Sequence, residues 1–130
     1  MRKRDWQGYA RSILRIVAGF AFWLHGLQKL LGYFGGLGGH AAPAWSNLWV
    51  AGLIETCAGP LLILGLFTRP VAFLLCGEMA VAYFRTHAPR GFWPIRNGGE
   101  LAVLYCFLFL YLFSAGPGPI SLDRVLRHKE

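Results

Sequence analysis

The sequence predicts an all-α integral membrane protein, a four-helix bundle with a short C-terminal interfacial helix. Three observations carry that expectation. The 130 residues are 55% hydrophobic, with a mean hydropathy of +0.44. Only 15% are charged, against about 25% in an average soluble domain. The apolar residues gather in four blocks, with most polar and basic residues at the block edges. A chain of this length accommodates one domain, residues 1–130.

The blocks cover about 10–31, 48–67, 70–87 and 98–114. A spanning helix needs about 20 residues, usually about 17–25. The first two blocks meet that length. The last two are short, with strictly apolar cores at 70–84 and 101–113, which suits thin spans or partly interfacial segments; an even count of four spans is the reading that explains the charge placement. The connector at 32–47 is rich in Gly and Ala and contains Pro43. Its glycines lie in neither a strand nor a βαβ unit, so they do not suggest a nucleotide site. Thr68-Arg69-Pro70 is a tight turn with proline placed to open the third helix. The loop 87–99 carries two prolines, and Gly116-Pro117-Gly118-Pro119 ends the fourth helix. Ser121 is then placed to cap a terminal helix over about 121–128. Its Leu122, Val125 and Leu126 lie opposite its bases, which suits a helix lying on a membrane surface.

The net charge of +7 follows from basic flanks. With four spans, Arg2, Lys3, Arg4, Arg11, Arg15, Arg69, Arg124, Arg127 and Lys129 share one side, and Arg85, Arg90 and Arg96 the other. The positive-inside rule then puts both termini in the cytoplasm of a multi-pass protein. Trp45, Trp49 and Trp93 suit an outer aromatic belt and Trp6 an inner one. A cleaved signal peptide ending at AAPA (41–44) fits poorly, because the apolar block is too long and holds His25 and Lys29. No basic face is interleaved with stacking aromatics, so nucleic acid is not an expected partner. Cys57, Cys76 and Cys106 stand singly, without CxxC or metal-ligand spacing, and read as small buried apolar residues.

Against this apolar background a few polar residues stand out. A charge near the centre of a span costs about 2.5–3.5 kcal/mol on insertion scales. Yet Glu55 interrupts AGLIETCAGPLLILGLF (51–67). His25 and Lys29 share a helix face with Phe22, Ala18, Arg15 and Arg11. Glu55 shares one with Gly52 and Gly59, where small residues admit a neighbouring helix. Glu78 shares one with Ala82 and Arg85, and Glu100 opens the fourth helix. At 1.5 Å per residue, His25 and Glu55 lie roughly 10 Å from the outer end of their spans and Glu78 roughly 13 Å. Lys29 and Glu100 are shallower. A buried polar cluster in the outer half of the bundle is the economical reading, with Lys29, Arg85 and His25 offsetting the carboxylates. Pro60 removes the donor for the Thr56 carbonyl and predicts a kink one turn beyond Glu55. Asn97 and Glu100 have capping-box spacing. Glu55 and His25 are the candidate catalytic residues. Lys29, Glu100, Asn97 and Glu78 are the candidate ligand-binding residues, and no metal site is expected.

The segments HGLQK (25–29), GLIE (52–55), LLILGLFTRP (61–70), MAVAYFRTH (79–87), GELAVLY (99–105) and GPGPISLD (116–123) occur in this order. Together they resemble the DoxX family of small four-helix bacterial membrane proteins, over about Arg11 to Leu126. Pro60 stands where that family tends to have a second glycine, and Glu78 where an uncharged residue usually precedes the methionine. The resemblance implies a bacterial inner-membrane protein. Some relatives are subunits of thiosulfate:quinone oxidoreductases or associate with redox enzymes.

Three functions follow as expectations. The first is a redox-associated subunit with a quinone-type pocket, its headgroup oriented by His25 and Lys29 and exchanging protons with Glu55 and Glu100. No haem, flavin or metal motif is visible, so its electrons would come from a redox protein partner. The second is a non-catalytic scaffold or assembly subunit whose buried charges only fix helix register. The third is a small-solute transporter, which would need a homo-oligomer, since four helices leave little room for a pathway.

Overall fold

The structure is a computed structural model that describes residues 3–127, with side chains from Trp6 onward. Arg2, His128 and Lys129, and the side chains of Lys3 and Arg4, lie outside the described residues. The described residues form helices and turns, with no strand among them. They divide into two compact units, Met1–Thr68 with Pro117–Glu130, and Arg69–Gly116.

The first unit is built on two long helices. Helix α1 covers Lys3–Leu31, starting about seven residues before the predicted block. It meets no proline and stops at Gly32, whose φ of +75° leaves the helical region. The chain then makes a turn of 3-10 helix at Tyr33–Gly35. Ala42 returns to donate to the Lys29 carbonyl at 2.7 Å. Helix α2 covers Asn47–Leu64. Ser46 caps it by accepting from the Trp49 amide at 3.2 Å. Gly65 ends it at φ +69°, three residues before the predicted limit, and Leu66 donates back to the Leu61 carbonyl at 2.9 Å. Pro60 lies inside α2 and the helix continues past it.

Glycines set the α1–α2 contact. A Cβ on Gly26 would lie 2.5 Å from the Thr56 nitrogen, and one on Gly59 2.6 Å from the Trp23 Cβ. On Gly52 it would lie 2.8 Å from the Lys29 Cβ, and on Gly19 2.8 Å from the Leu62 Cβ. The backbones therefore approach closer than side chains would allow. Residue numbers rise on one helix as they fall on the other, so the pair is antiparallel. Each facing pair sums to 81 or 82, a register that brings Glu55 opposite the Gly26 turn, one turn from Lys29.

The second unit contains helix α3, Thr68–Ala82 except for its first residue, a π-helical turn at Tyr83–His87, a short helix α4 at Pro94–Asn97, and helix α5 at Glu100–Ala115. Pro70 falls in the first turn of α3, where its missing amide costs no hydrogen bond. The Phe73 and Phe113 rings meet at 5.3 Å. Arg69 donates to the carbonyls of Phe113 and Ser114, at 3.4 and 3.1 Å, satisfying acceptors at the end of α5.

Asn97 and Glu100 do not form the capping box their spacing suggests. Helix α5 starts at Glu100 itself, behind Gly99, because Gly98 takes φ +73° and turns the chain between them. Asn97 instead organises the loop. Its amide donates to the Gly91 carbonyl at 2.7 Å and the Tyr83 hydroxyl at 3.3 Å, and its Oδ1 accepts from Gly99 at 2.8 Å. The Tyr83 hydroxyl in turn donates to the Phe92 carbonyl.

Helix α6, Leu122–Arg127, closes the described chain. Ser121 accepts from the Arg124 amide at 3.2 Å, the capping role its position predicts. Among the described helices, α2 is long and apolar enough to cross a membrane by itself, with a mean hydropathy of 1.5 over 18 residues. Helix α5 is apolar but shorter. Helix α1 is long enough but carries Arg11, Arg15 and Lys29.

Candidate functional site

Lys29 and Glu55 form an ion pair across α1 and α2, with Nζ 2.8 Å from Oε1. The glycine seam makes this contact possible. Without a side chain at Gly52, the Lys29 stem lies against α2 and carries the ammonium back along the helix to Glu55. The burial is lopsided. Glu55 is 1% exposed and the Lys29 side chain 18%. Taking a carboxylate out of water is costly even when it is paired. The Glu55 Oε2 oxygen is buried and has no hydrogen-bond partner among the described residues. One half of the carboxylate is therefore held by an ammonium, and the other half can still accept a proton or a hydrogen bond. Thr56 next door is self-satisfied, donating to the Gly52 carbonyl at 2.7 Å.

His25 is on α1, one turn before Lys29. Its ring is partly buried and meets Phe22 edge-on at 6.4 Å. Glu78, Asn97 and Glu100 belong to the second unit. Glu78 is partly buried on α3, Glu100 is exposed at the start of α5, and Asn97 is 4% exposed with its amide committed to the loop.

A second polar centre in the first unit was invisible as such in the sequence. Arg15, read there as a topology-setting base, is 1% exposed. Its guanidinium donates to the carbonyls of Leu62 at 2.7 Å, Ile63 at 3.4 Å, Ile120 at 2.6 Å and Pro117. The first two are acceptors in the last turn of α2, that of Leu62 shared with the Gly65 amide, where a cation also suits the helix dipole. The others come from the Gly-Pro-Gly-Pro-Ile segment. Ser12, fully buried, accepts from the Ile120 amide at 3.1 Å. The Asp123 carboxylate accepts from the amides of Phe67 and Thr68 at 2.8 and 2.9 Å. The available signal was Ser12, Arg15 and Ala18 at three-residue spacing on the face of α1 that turns inward.

The cysteines also differ from expectation. They are not three equivalent buried residues: Cys57 is exposed, while Cys76 on α3 and Cys106 on α5 are partly buried with their sulfurs 3.7 Å apart. Thirty residues separate that pair, so no local spacing could announce it.

Comparison with known proteins gives a consistent answer. The DoxX family model matches residues 10–88. An uncharacterized protein of Haemophilus influenzae is 50% identical over 119 residues, covering 88% of this chain and 89% of its own. A second Haemophilus influenzae protein, also uncharacterized, is 31% identical over 128 residues, with 92% and 85% covered. An uncharacterized membrane protein of Mycobacterium tuberculosis is 28% identical over 130 residues, with 87% and 78% covered. No solved structure matches. The match spans both helices of the glycine seam, with Lys29 and Glu55 inside it, and the chain belongs to the DoxX family of membrane proteins.

Proposed function

We propose that the protein is a multi-pass bacterial inner-membrane subunit that serves a redox partner, and that the Glu55–Lys29 pair receives the headgroup of a quinone-type molecule. The four blocks would form a four-helix bundle, with both termini cytoplasmic and the pair in the outer half of the bilayer. One observation carries this reading: a nearly inaccessible carboxylate with one oxygen fixed by an ammonium and the other unpartnered. Intramembrane ionisable residues usually mark a binding or proton pathway. Quinone reduction consumes two protons with two electrons. Glu55 would exchange a proton with the headgroup, Lys29 would offset the charge left behind, and His25, one turn away, would orient the ring. Electrons would come from the partner.

The glycine seam favours a second reading, a scaffold in which the ion pair only locks the register of α1 and α2. A titration separates the two. Purified protein is titrated with a short-chain quinone while tryptophan fluorescence is followed; Trp23 packs at the seam beside Gly59. The quinone reading predicts saturable quenching, weakened about tenfold or more, about 1.4 kcal/mol, in Glu55→Gln or His25→Ala. Absence of saturable binding, or binding unchanged in both variants while their unfolding temperature falls, would leave the scaffold.

A further inference from the structure

The three cysteines have no part in the Glu55 site, and two of them are placed to react with each other. The Cys76 and Cys106 sulfurs are 3.7 Å apart, in contact but unbonded. A disulfide needs them at about 2.05 Å, so closure asks for a movement of under about 2 Å, within reach of side-chain rotation and a small helix shift. Their surroundings decide which oxidant can reach them. Cys76 is eight residues into α3 and Cys106 six residues into α5, so they lie roughly 9–12 Å along apolar helices. Phe73, Leu74 and Leu75 precede Cys76, and Tyr105 and Phe107 flank Cys106. In the multi-span placement proposed above, charged oxidants such as glutathione disulfide are excluded from this depth, whereas a lipid-soluble acceptor is not.

We propose that Cys76 and Cys106 form an oxidisable dithiol that closes to a disulfide when a lipid-soluble quinone acts as the two-electron acceptor. Two S–H bonds break and one S–S bond forms. The two protons and two electrons pass to the carbonyl oxygens of the quinone, which leaves as the hydroquinone. A dithiol supplies the same two hydrogens that a quinone takes up, so no further co-reactant is needed. Closure ties the middle of α3 to the middle of α5, adding a covalent link to the Arg69 hydrogen bonds and the Phe73–Phe113 contact at one end of the two helices. Cys57, exposed on α2, takes no part.

The inference shares the membrane placement of the proposed function but not its dependence on Glu55. The test uses the full chain in lipid nanodiscs, reduced and freed of reductant, then exposed to a short-chain ubiquinone analogue or to diamide. Samples are acid-quenched, unfolded in detergent, labelled with maleimide and weighed intact. The reduced protein should carry three labels. After quinone it should carry one, on Cys57, with the unlabelled mass lower by two hydrogens and hydroquinone formed in equal amount. Closure should persist in Cys57→Ala and Glu55→Gln, and be lost in Cys76→Ala and Cys106→Ala. Its persistence in Glu55→Gln separates its fate from that of the Glu55 site. Three labels remaining after quinone would overturn the proposal, whether or not diamide closes the pair. So would loss of label that requires Cys57.

Discussion

Glu55 and Arg15 are both about 1% exposed, yet the protein treats them differently. Arg15 is surrounded by carbonyl acceptors, and its charge is consumed in holding the C-terminal segment against α1 and α2. Glu55 is half satisfied. Removing one member of a buried pair typically costs about 3–5 kcal/mol, because the other charge is stranded. Lys29→Met should therefore lower the unfolding temperature in detergent more than the double variant Lys29→Met/Glu55→Gln, in which no charge is stranded. If the double variant is as unstable as the sum of the single ones, the pair is not coupled. Arg15→Leu should be harsher, since it removes the guanidinium from four carbonyls, of which those of Leu62 and Pro117 keep a second donor, the Gly65 amide and the Ser12 hydroxyl. We expect a loss of about 3 kcal/mol or more, read as early proteolysis of residues 117–127. A loss below about 1 kcal/mol would mean that water replaces the guanidinium. Glu55 could be found from sequence because a carboxylate in an apolar run has few explanations. The role of Arg15 could not, because a base near the end of a hydrophobic block satisfies the topology rule equally well.

At the scale of elements, the four long helices fall close to the hydrophobic blocks, and specific residues set several ends: Gly32 stops α1, Ser46 and Gly65 bound α2, and Ser121 caps the short α6. The differences have local causes. Helix α2 stops at Gly65 although the apolar run continues to Phe67, because the left-handed turn at Gly65 overrides hydrophobicity. Asn97 and Glu100 have the spacing of a cap, but the Gly98 turn places them in separate structures. The glycine seam was legible from Gly52 and Gly59 flanking Glu55 on one face; its partners Gly19 and Gly26 on α1 required the register, which only the fold supplies. Gly59→Leu should force α1 and α2 apart and break the Lys29–Glu55 contact, lowering stability by about 1–3 kcal/mol or more. Gly77→Ala is the matched control. It lies in α3, and an added Cβ meets nothing within 4 Å, so helix propensity should make it neutral or stabilising by up to about 1 kcal/mol. Thermal unfolding of both variants checks this, and equal destabilisation would refute close packing as the reason for Gly59.

For the whole molecule, composition and block pattern identified a helical membrane protein, and the family match agrees. The number of crossings is less directly written, since α2 alone among the described helices passes as a span by length and apolarity. Charge distribution fills that gap with a prediction. A fluorescent reporter fused after the C-terminus should fold in the cytoplasm, and alkaline phosphatase inserted in the 87–99 loop should be active outside it. The reverse pattern would invert the orientation of the Glu55 pair. The central claim, that the unpartnered oxygen of Glu55 serves a bound headgroup, is tested most directly by redox-difference infrared spectroscopy of the quinone-loaded protein. The account predicts a carboxyl band that changes when the quinone is reduced and vanishes in Glu55→Gln. A difference spectrum with no carboxyl signal, or with one unaltered in that variant, would contradict it.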